Sequence, residues 1–323
     1  MDELVVQTTN LTKRYGNGDS ARLAVDRVSM TVRRGEVYGF LGPNGAGKTT
    51  TLRMVLGLIR PTAGSATVLG RPAGEPETTA RIGALIEGPG FYPYLSGRDN
   101  LRTMARYRGL PDALADAALA RVDLAGRGAD KFKSYSLGMK QRLGVAAALM
   151  GDPDVIVLDE PTNGLDPAGM ADMRALIVDL ARGGQTVLLS SHLLGEVEEI
   201  CDRVGVIAGG KLLTESTVSA LRGGRRLRVV ATPVAQALAI AMRVAGEEAV
   251  QLDRDAVLLD VPADRTPHVV RSLVSEGLDV HEVRISERTL EEVFFEMTDT
   301  GLHQPHLDDA RADLTTTSLE TVR

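Results

Sequence analysis

One glycine-rich stretch limits what this chain can fold into more than any other feature. Residues 42–50 read GPNGAGKTT; they follow a predicted strand, Glu36–Leu41, and open a predicted helix, Thr49–Ile59. Glycines let backbone N–H groups close around an anion, and the start of a helix attracts negative charge. The order strand, glycine loop, helix therefore predicts a phosphate-binding loop in an α/β core, with a merely flexible loop as the alternative.

The residues expected to contact the phosphates are those of the loop itself. Lys48 is predicted to reach the outer phosphate oxygens, and Thr49 to offer its hydroxyl to Mg²⁺. The full predicted set is Gly42, Pro43, Asn44, Gly45, Ala46, Gly47, Lys48, Thr49 and Thr50.

A second motif places two carboxylates at the end of a buried strand. Residues 155–161 read VIVLDEP. Phosphoryl transfer needs mainly positioning and stabilisation of charge. We therefore expect Asp159 to hold Mg²⁺, through water, and Glu160 to polarise the attacking water. An acidic turn without catalytic function is the alternative.

Three further motifs lie near the second motif or after it in the sequence. Residues 134–142 read SYSLGMKQR, residues 163–167 read NGLDP, and His192 closes the strand VLLSSH. Ser136 and Gly138 are predicted to precede a helix, Met139–Met150, whose N-terminus favours an anion. Taken alone, Ser136 is better explained as a helix N-cap, and His192 as a cap or core residue.

In this order and spacing, the motifs resemble the nucleotide-binding subunits of ATP-binding cassette (ABC) transporters, over residues 4 to about 215. The resemblance implies a homodimer that holds ATP and Mg²⁺ between its copies. Ser136 and Gly138 would then contact the ATP of the other protomer, and Asp166 would lie at the interface. His192 would be catalytic beside Glu160. The signature is a variant one: Tyr135, Leu137 and Met139 depart from the family's usual LSGGQ, whereas Ser136 and Gly138 are present.

One aromatic residue and one acidic residue complete the predicted site. Tyr15 in LTKRYG matches the aromatic residue that stacks on adenine in the family; a surface tyrosine at a strand end is the alternative. Glu87 stands where most of the family has a glutamine that ligates Mg²⁺. A carboxylate is still a hard oxygen ligand, so we predict Glu87 as a metal ligand with slower or more coupling-dependent hydrolysis. A solvated loop acid is the alternative.

The pattern of strands and helices predicts an α/β fold with two domains. Residues 1–222 are expected to form an ABC-type P-loop nucleotide-binding domain. It would combine an antiparallel β subdomain, a parallel α/β core and an inserted helical subdomain at about 89–150. Residues 225–298 show the order βαββαβ, which predicts a small α+β ferredoxin-like accessory domain ending in an amphipathic helix, TLEEVFFEMT. Residues 301–323 are polar and aperiodic and are expected to be disordered.

Composition and charge indicate the cellular location of the protein and the class of its partners. No apolar run approaches the ~18 residues of a membrane-spanning helix. The N-terminus is acidic, Cys201 is the single cysteine, and the net charge is −6. These features favour a cytoplasmic protein that binds no nucleic acid. With the resemblance, they imply a peripheral subunit on the inner face of the membrane, working with a separately encoded integral membrane permease.

The stretch around Glu87, the variant signature and the ending TLEEVFFEMT resemble the bacitracin, lantibiotic and daunorubicin export ATPases. The resemblance implies an ATP-hydrolysing subunit that powers export of a drug, antibiotic peptide or other amphiphilic compound. Two alternatives stay open. One is a soluble ABC ATPase that acts on ribosomes or DNA, which the single cassette and acidic balance disfavour. The other is a low-turnover ATP switch.

Overall fold

The computed structural model describes residues 3–18, 21–222, 226–286, 290–291 and 293–294. We call residues 3–222 the N-terminal region and residues 226–286 the C-terminal domain. The tail predicted as disordered, 301–323, lies outside the described residues. Four residues of the predicted final helix are described, and all four are helical.

The N-terminal region contains two sheets and eight α-helices within its described residues. Its strands are β1 (Leu4–Tyr15), β2 (Arg22–Val28), β3 (Thr31–Arg33), β4 (Val37–Leu41), β5 (Ala63–Val68), β6 (Arg71–Pro72), β7 (Ile82–Leu85), β8 (Val155–Asp159), β9 (Thr186–Ser191), β10 (Arg203–Ala208) and β11 (Lys211–Thr217). Its helices are α1 (Lys48–Val55), α2 (Pro76–Thr79), α3 (Gly97–Tyr107), α4 (Leu114–Arg121), α5 (Leu137–Leu149), α6 (Pro167–Arg182), α7 (Leu194–Ile200) and α8 (Val218–Arg222).

The central sheet has the strand order β11-β10-β4-β9-β8-β7, and the five strands from β10 to β7 run parallel. Every residue of β4, β8 and β9 is buried. Continuous apolar runs of this kind are typical of parallel strands covered on both faces. Since parallel strands end at the same edge, the loops after β4, β8 and β9 lie next to one another. The parallel α/β core is confirmed.

The other two predicted parts of the N-terminal region are also confirmed. An antiparallel sheet is built in the order β2-β1-β5-β6, with β3 also paired to β1. Helices α3, α4 and α5 are inserted between β7 and β8, and they pack on one another through fully buried Leu101, Leu119 and Leu143. Ser96 caps α3, because its hydroxyl accepts a hydrogen bond from the Asp99 amide.

The C-terminal domain has the predicted order βαββαβ. It consists of β12 (Arg226–Thr232), α9 (Val234–Ala245), β13 (Val250–Asp253), β14 (Ala256–Leu259), α10 (Thr266–Ser275) and β15 (Asp279–Ser286). The antiparallel sheet runs β13-β14-β12-β15, so the first and third strands are central, as in ferredoxin-like folds. A separate core joins the sheet to both helices, including Leu227, Ile240 and Leu273. The α+β accessory fold is confirmed.

Two predicted helices have different boundaries in the structure, and three strands were not predicted. Helix α5 begins at Leu137, so Gly138 lies inside the helix and not before it. Helix α1 ends at Val55, because Gly57 takes a left-handed backbone (φ 71°) and packs against Gly74, where a side chain would collide. Strands β5, β6 and β11 were not predicted; β5 buries only Ala66 and Val68, β11 buries no residue completely, and both show little apolar alternation.

Within the described ranges, no helix is both long and apolar enough to span a membrane.

Candidate functional site

The glycine loop joins β4 to α1 and takes a conformation that only glycines allow at two points. Gly47 has φ 108°, and a Cβ there would lie 2.5 Å from the carbonyl oxygen of Ala24. A Cβ on Gly42 would lie 2.3 Å from the carbonyl oxygen of Ile207. The loop is thus packed against β2 and β10, and the N-terminus of α1 follows directly. This geometry suits a bound phosphate.

Lys48 stands at the centre of a chain of charged side chains. Its buried ammonium donates to the carbonyl oxygens of Gly42 (2.6 Å) and Pro43 (3.3 Å), and lies 3.0 Å from Glu160 Oε1. The other oxygen, Glu160 Oε2, is 2.6 Å from His192 Nδ1. The two residues predicted as catalytic are therefore in direct contact, and the loop lysine contacts one of them.

A second contact brings together two of the predicted metal ligands. The Thr49 hydroxyl donates to Asp159 Oδ2 at 2.8 Å. Asp159 Oδ1 accepts a hydrogen bond of 2.5 Å from the hydroxyl of Ser190. A hydroxyl and a carboxylate are the hard oxygen donors that Mg²⁺ prefers, so this pair fits the ion in chemical type.

A cavity of about 280 Å³ opens beside the glycine loop. Tyr15 borders it, 43% exposed, and the Lys13 ammonium lies 5.2 Å from the centroid of the tyrosine ring. An exposed aromatic face at this place can receive a flat ring. The cavity is lined by Tyr15, Arg22, Ala24, Asn44, Gly45, Gly47, Lys48, Thr49, Thr50 and Glu160.

The remaining predicted residues meet in a different place, a groove of about 550 Å³ between α5 and α6. Ser136, Gly138 and Asp166 all line it, and none of its lining residues lines the cavity. Ser136 caps α5 by accepting a hydrogen bond from the Met139 amide (3.3 Å), and Asp166 caps α6 in the same way from Gly169 (2.9 Å). Within one copy, Ser136 therefore acts as the N-cap of α5. The contact of Ser136 with phosphate stays a prediction.

Glu87 contacts Arg53 and not the other predicted metal ligands, Thr49 and Asp159, within the described part of the chain. It has a left-handed backbone (φ 64°) in the segment after β7, and its carboxylate forms an ion pair with Arg53 of α1. Among the described residues, no hydrogen bond joins Glu87 to Thr49 or to Asp159. Arg53 lies one helical turn beyond Thr49, so the pair is close to the predicted metal position but not part of it. The ligand role of Glu87 stays a prediction.

Comparisons with known proteins extend this picture over nearly the whole chain. The profile of the family described as ABC transporter matches residues 25–163. The bacitracin transport ATP-binding protein BcrA of Bacillus licheniformis is 38% identical over 304 residues, which cover 92% of this chain and 98% of BcrA. This chain belongs to the ABC transporter family. It is an ATP-binding, ATP-hydrolysing subunit of that family.

Two further ABC proteins show how far the similarity reaches. The daunorubicin resistance ATP-binding protein DrrA3 of Streptomyces coeruleorubidus is 37% identical over 311 residues, covering 92% of this chain and 97% of DrrA3. The solved structure of cbiO1 from Clostridium perfringens, part of the ABC transporter complex cbiONQ, superimposes with a TM-score of 0.61. It is 26% identical and covers 68% of this chain and 91% of cbiO1.

Two residues of this ABC site were missed by sequence reasoning. Ser190 contacts Asp159, and Arg22 borders the cavity from β2. The serine carries a weak signal, since it lies two residues before His192 in a buried strand. Arg22 carries none, because only the packing of β2 against the glycine loop brings it to the cavity.

Proposed function

We propose that this chain is the ATPase motor of an exporter for a drug, antibiotic peptide or other amphiphilic compound. Two copies would bind ATP and Mg²⁺ between them, at the inner face of the membrane, and would drive a separately encoded permease. Substrate class and direction rest on BcrA and DrrA3, whose names state bacitracin transport and daunorubicin resistance. The alignments cover 92% of this chain, so the similarity includes the C-terminal domain as well as the ATPase region.

The contact of Glu160 with both Lys48 and His192 carries the proposed reaction. Glu160 would act as the base toward the attacking water, and His192 would orient Glu160 through the 2.6 Å contact with Oε2. Lys48 now neutralises Oε1 at 3.0 Å. Phosphate oxygens would attract the lysine ammonium, and Oε1 would then be free to accept a proton.

The metal would be held by the oxygen donors that already face each other. Thr49 Oγ1 and Asp159 Oδ2, 2.8 Å apart, are proposed as its protein partners, with Glu87 as a further ligand from the segment after β7. When bound, Mg²⁺ supplies positive charge that stabilises the charge developing on the transferred phosphoryl group.

The separation of the cavity from the groove supports the proposed homodimer. The cavity holds the loop, the base and Tyr15, whereas the groove holds Ser136, Gly138 and Asp166. A two-fold axis can place the groove of each copy over the cavity of the other, because the same two surfaces are then used twice. We further propose that the C-terminal domain is an accessory domain that supports dimerisation or docking to the permease.

Reconstitution with the permease tests this function. The chain and its permease would be placed in lipid vesicles, and ATP hydrolysis and movement of bacitracin and daunorubicin would be measured together. We expect ATP-dependent export that needs both proteins. Hydrolysis that the permease does not stimulate, without transport of these or other amphiphilic compounds, would contradict the exporter and favour an ATPase not coupled to transport. Binding of ATP without appreciable turnover, with or without the permease, would favour the low-turnover switch.

A further inference from the structure

Ser190 joins the two neighbouring carboxylate residues of the candidate site. It lies in β9, directly opposite Asp159 of β8 in the parallel register, and is completely buried. Its hydroxyl donates to Asp159 Oδ1 at 2.5 Å and accepts from the Glu160 amide at 3.0 Å. One hydroxyl therefore uses its donor on the first residue and an acceptor position on the second.

The bond to Asp159 fixes the rotation of that carboxylate. With Oδ1 held by Ser190, Oδ2 is directed to the Thr49 hydroxyl at 2.8 Å. Hydrogen bonds to a buried charged group are among the stronger ones in proteins, because the low local dielectric strengthens them. The hydrogen bond from Ser190 to Oδ1 therefore orients Oδ2, the oxygen proposed to face the metal.

The bond to Glu160 holds an unfavourable backbone conformation. Glu160 has φ 50°, in the left-handed region that residues other than glycine rarely adopt, because Cβ then crowds the backbone. Its amide donates to both the hydroxyl (3.0 Å) and the carbonyl oxygen (3.2 Å) of Ser190. This turn directs the Glu160 side chain away from the strand, to Lys48 and His192.

The next residue shows that this arrangement is particular to Ser190. The hydroxyl of Ser191 donates to Glu196 Oε2 at 3.2 Å and accepts from the Leu193 amide at 3.0 Å. Adjacent serines in a strand point to opposite faces, so the hydroxyl of Ser191 serves the start of α7 while that of Ser190 serves the carboxylates.

We propose that Ser190 is a positioning residue for the ATPase reaction: through one hydroxyl it orients Asp159 toward Mg²⁺ and holds the backbone turn that presents Glu160. The inference rests on the proposed roles of Asp159 and Glu160 in the function above. Ser190 itself touches neither nucleotide nor metal in this assignment.

The test compares ATP affinity in Mg²⁺ with ATP affinity in EDTA, using the full chain and a fluorescent ATP analogue. For Ser190→Ala we expect the affinity in EDTA to stay within about twofold of wild type, while the tightening produced by Mg²⁺ falls about tenfold, the size expected for one charge-assisted hydrogen bond. The maximal hydrolysis rate should fall as well. Thr186→Val is the matched control, since Thr186 is an equally buried hydroxyl of β9 that accepts from the Gly35 amide, far from Asp159.

Two further variants separate loss of the hydrogen bond from loss of folding. Ser190→Cys keeps the shape and replaces the hydroxyl by a weak donor, so it should lie between wild type and Ser190→Ala. Thermal unfolding is recorded for every variant. An equal loss of Mg²⁺-dependent tightening in Thr186→Val, or unchanged Mg²⁺ dependence in whichever Ser190 variants fold, overturns the proposal.

Asp159→Asn distinguishes this inference from the proposed function. If this variant keeps the full effect of Mg²⁺, Asp159 is not a metal partner, and both the proposed function of the site and the role of Ser190 are wrong. If Asp159→Asn loses the effect and Ser190→Ala keeps it, only the inference about Ser190 fails.

Discussion

The N-terminal region and the C-terminal domain each have their own buried apolar core, yet only the N-terminal region carries the predicted chemistry. In the N-terminal region, β4, β8 and β9 are parallel and end at one edge, where Lys48, Glu160 and His192 meet. In the C-terminal domain each strand is antiparallel to its neighbours in the sheet, so the ends of neighbouring strands lie at opposite edges. Parallel strands collect loops at one place, and antiparallel strands distribute them.

The charged residues of the two regions differ in the same way. Glu160 lines the cavity and contacts Lys48, and the neighbouring Asp159 contacts Thr49. In the C-terminal domain, Arg243 and Glu276 form an ion pair of 3.1 Å at the surface, with both side chains about half exposed. Such pairs contribute little to stability, and neither residue lies in a site. The candidate reaction site therefore depends on parallel strands that end at one edge, a feature that the antiparallel C-terminal sheet lacks.

The largest effect should come from Glu160→Gln. The substitution keeps the shape but removes the charge that attracts a proton. We expect ATP binding to persist and steady-state hydrolysis to fall by about a hundredfold or more, with an ATP-bound dimer accumulating on size-exclusion chromatography.

The control for this prediction lies in the other region. Glu276→Gln removes the same charge from the C-terminal surface pair, and we expect its hydrolysis rate to stay within about twofold of wild type. Similar hydrolysis rates for the two variants would show that the Glu160 carboxylate is no more important for the reaction than a surface carboxylate of the C-terminal domain.

A second variant tests whether the chain beyond the C-terminal domain belongs to it. Leu290 is only 2% exposed and packs in the core of the N-terminal region, together with Val218 and the partly buried Phe294. Leu290→Ala should therefore destabilise the N-terminal region by about 2–4 kcal/mol, the usual cost of such a cavity.

Leu273→Ala is the matched variant, because Leu273 is equally buried in the C-terminal core. Hydrogen exchange under denaturant can follow each region separately. We expect Leu290→Ala to speed exchange in the central sheet and Leu273→Ala to speed exchange in β12–β15. Faster exchange in β12–β15 for Leu290→Ala would show that Leu290 does not stabilise the N-terminal core.

A smaller effect is expected from substitutions of Glu87, which test whether this residue belongs to the metal site. Glu87→Gln should retain Mg²⁺-dependent hydrolysis with a shifted apparent affinity for Mg²⁺ and altered stimulation by the permease, because a neutral oxygen keeps the same reach. Glu87→Ala should reduce stimulation more, since no oxygen remains. Titrating Mg²⁺ with and without the permease measures both; unchanged curves for Glu87→Ala would leave only the ion pair with Arg53.

The smallest effect concerns Cys201, a buried residue under the central sheet. Burial raises the pKa of its thiol, with the nearby charges of Asp202 and Glu196 adding to the shift. The thiol should stay protonated at pH 8, so the folded protein should react with an aromatic disulfide reagent far more slowly than the protein unfolded in guanidinium. Rapid labelling of the folded protein would show that this part of the core opens readily.

Much of the site could be predicted because its residues lie in local motifs. The glycine loop, Asp159-Glu160 and His192 each sit at the end of a strand that the apolar pattern reveals. Ser190 and Arg22 could not be assigned, because their positions depend on the register of β8 with β9 and on the packing of β2 against the loop. Register and packing arise from contacts between distant parts of the chain, which a local pattern does not contain.

The fold shows the same division. Buried strands and the βαββαβ order were predicted within a few residues, since burial imposes apolar runs. Strands β5 and β11 were missed, because most of their side chains are not buried and pairing through the backbone leaves little trace in such side chains. The return of Leu290 to the N-terminal core was missed as well: an amphipathic pattern reveals an apolar face but not which core receives it.

The absence of shared lining residues between the cavity and the groove has a kinetic consequence. If each reaction centre takes one wall from each copy, specific activity must rise with protein concentration and fall on dilution, as for any second-order assembly. Fixing two copies to one permease would replace that bimolecular step by an intramolecular one, at an effective concentration set by the spacing of the two docking points. The membrane partner would then act as a template that brings the two ATPase copies together, in addition to providing the path for the cargo.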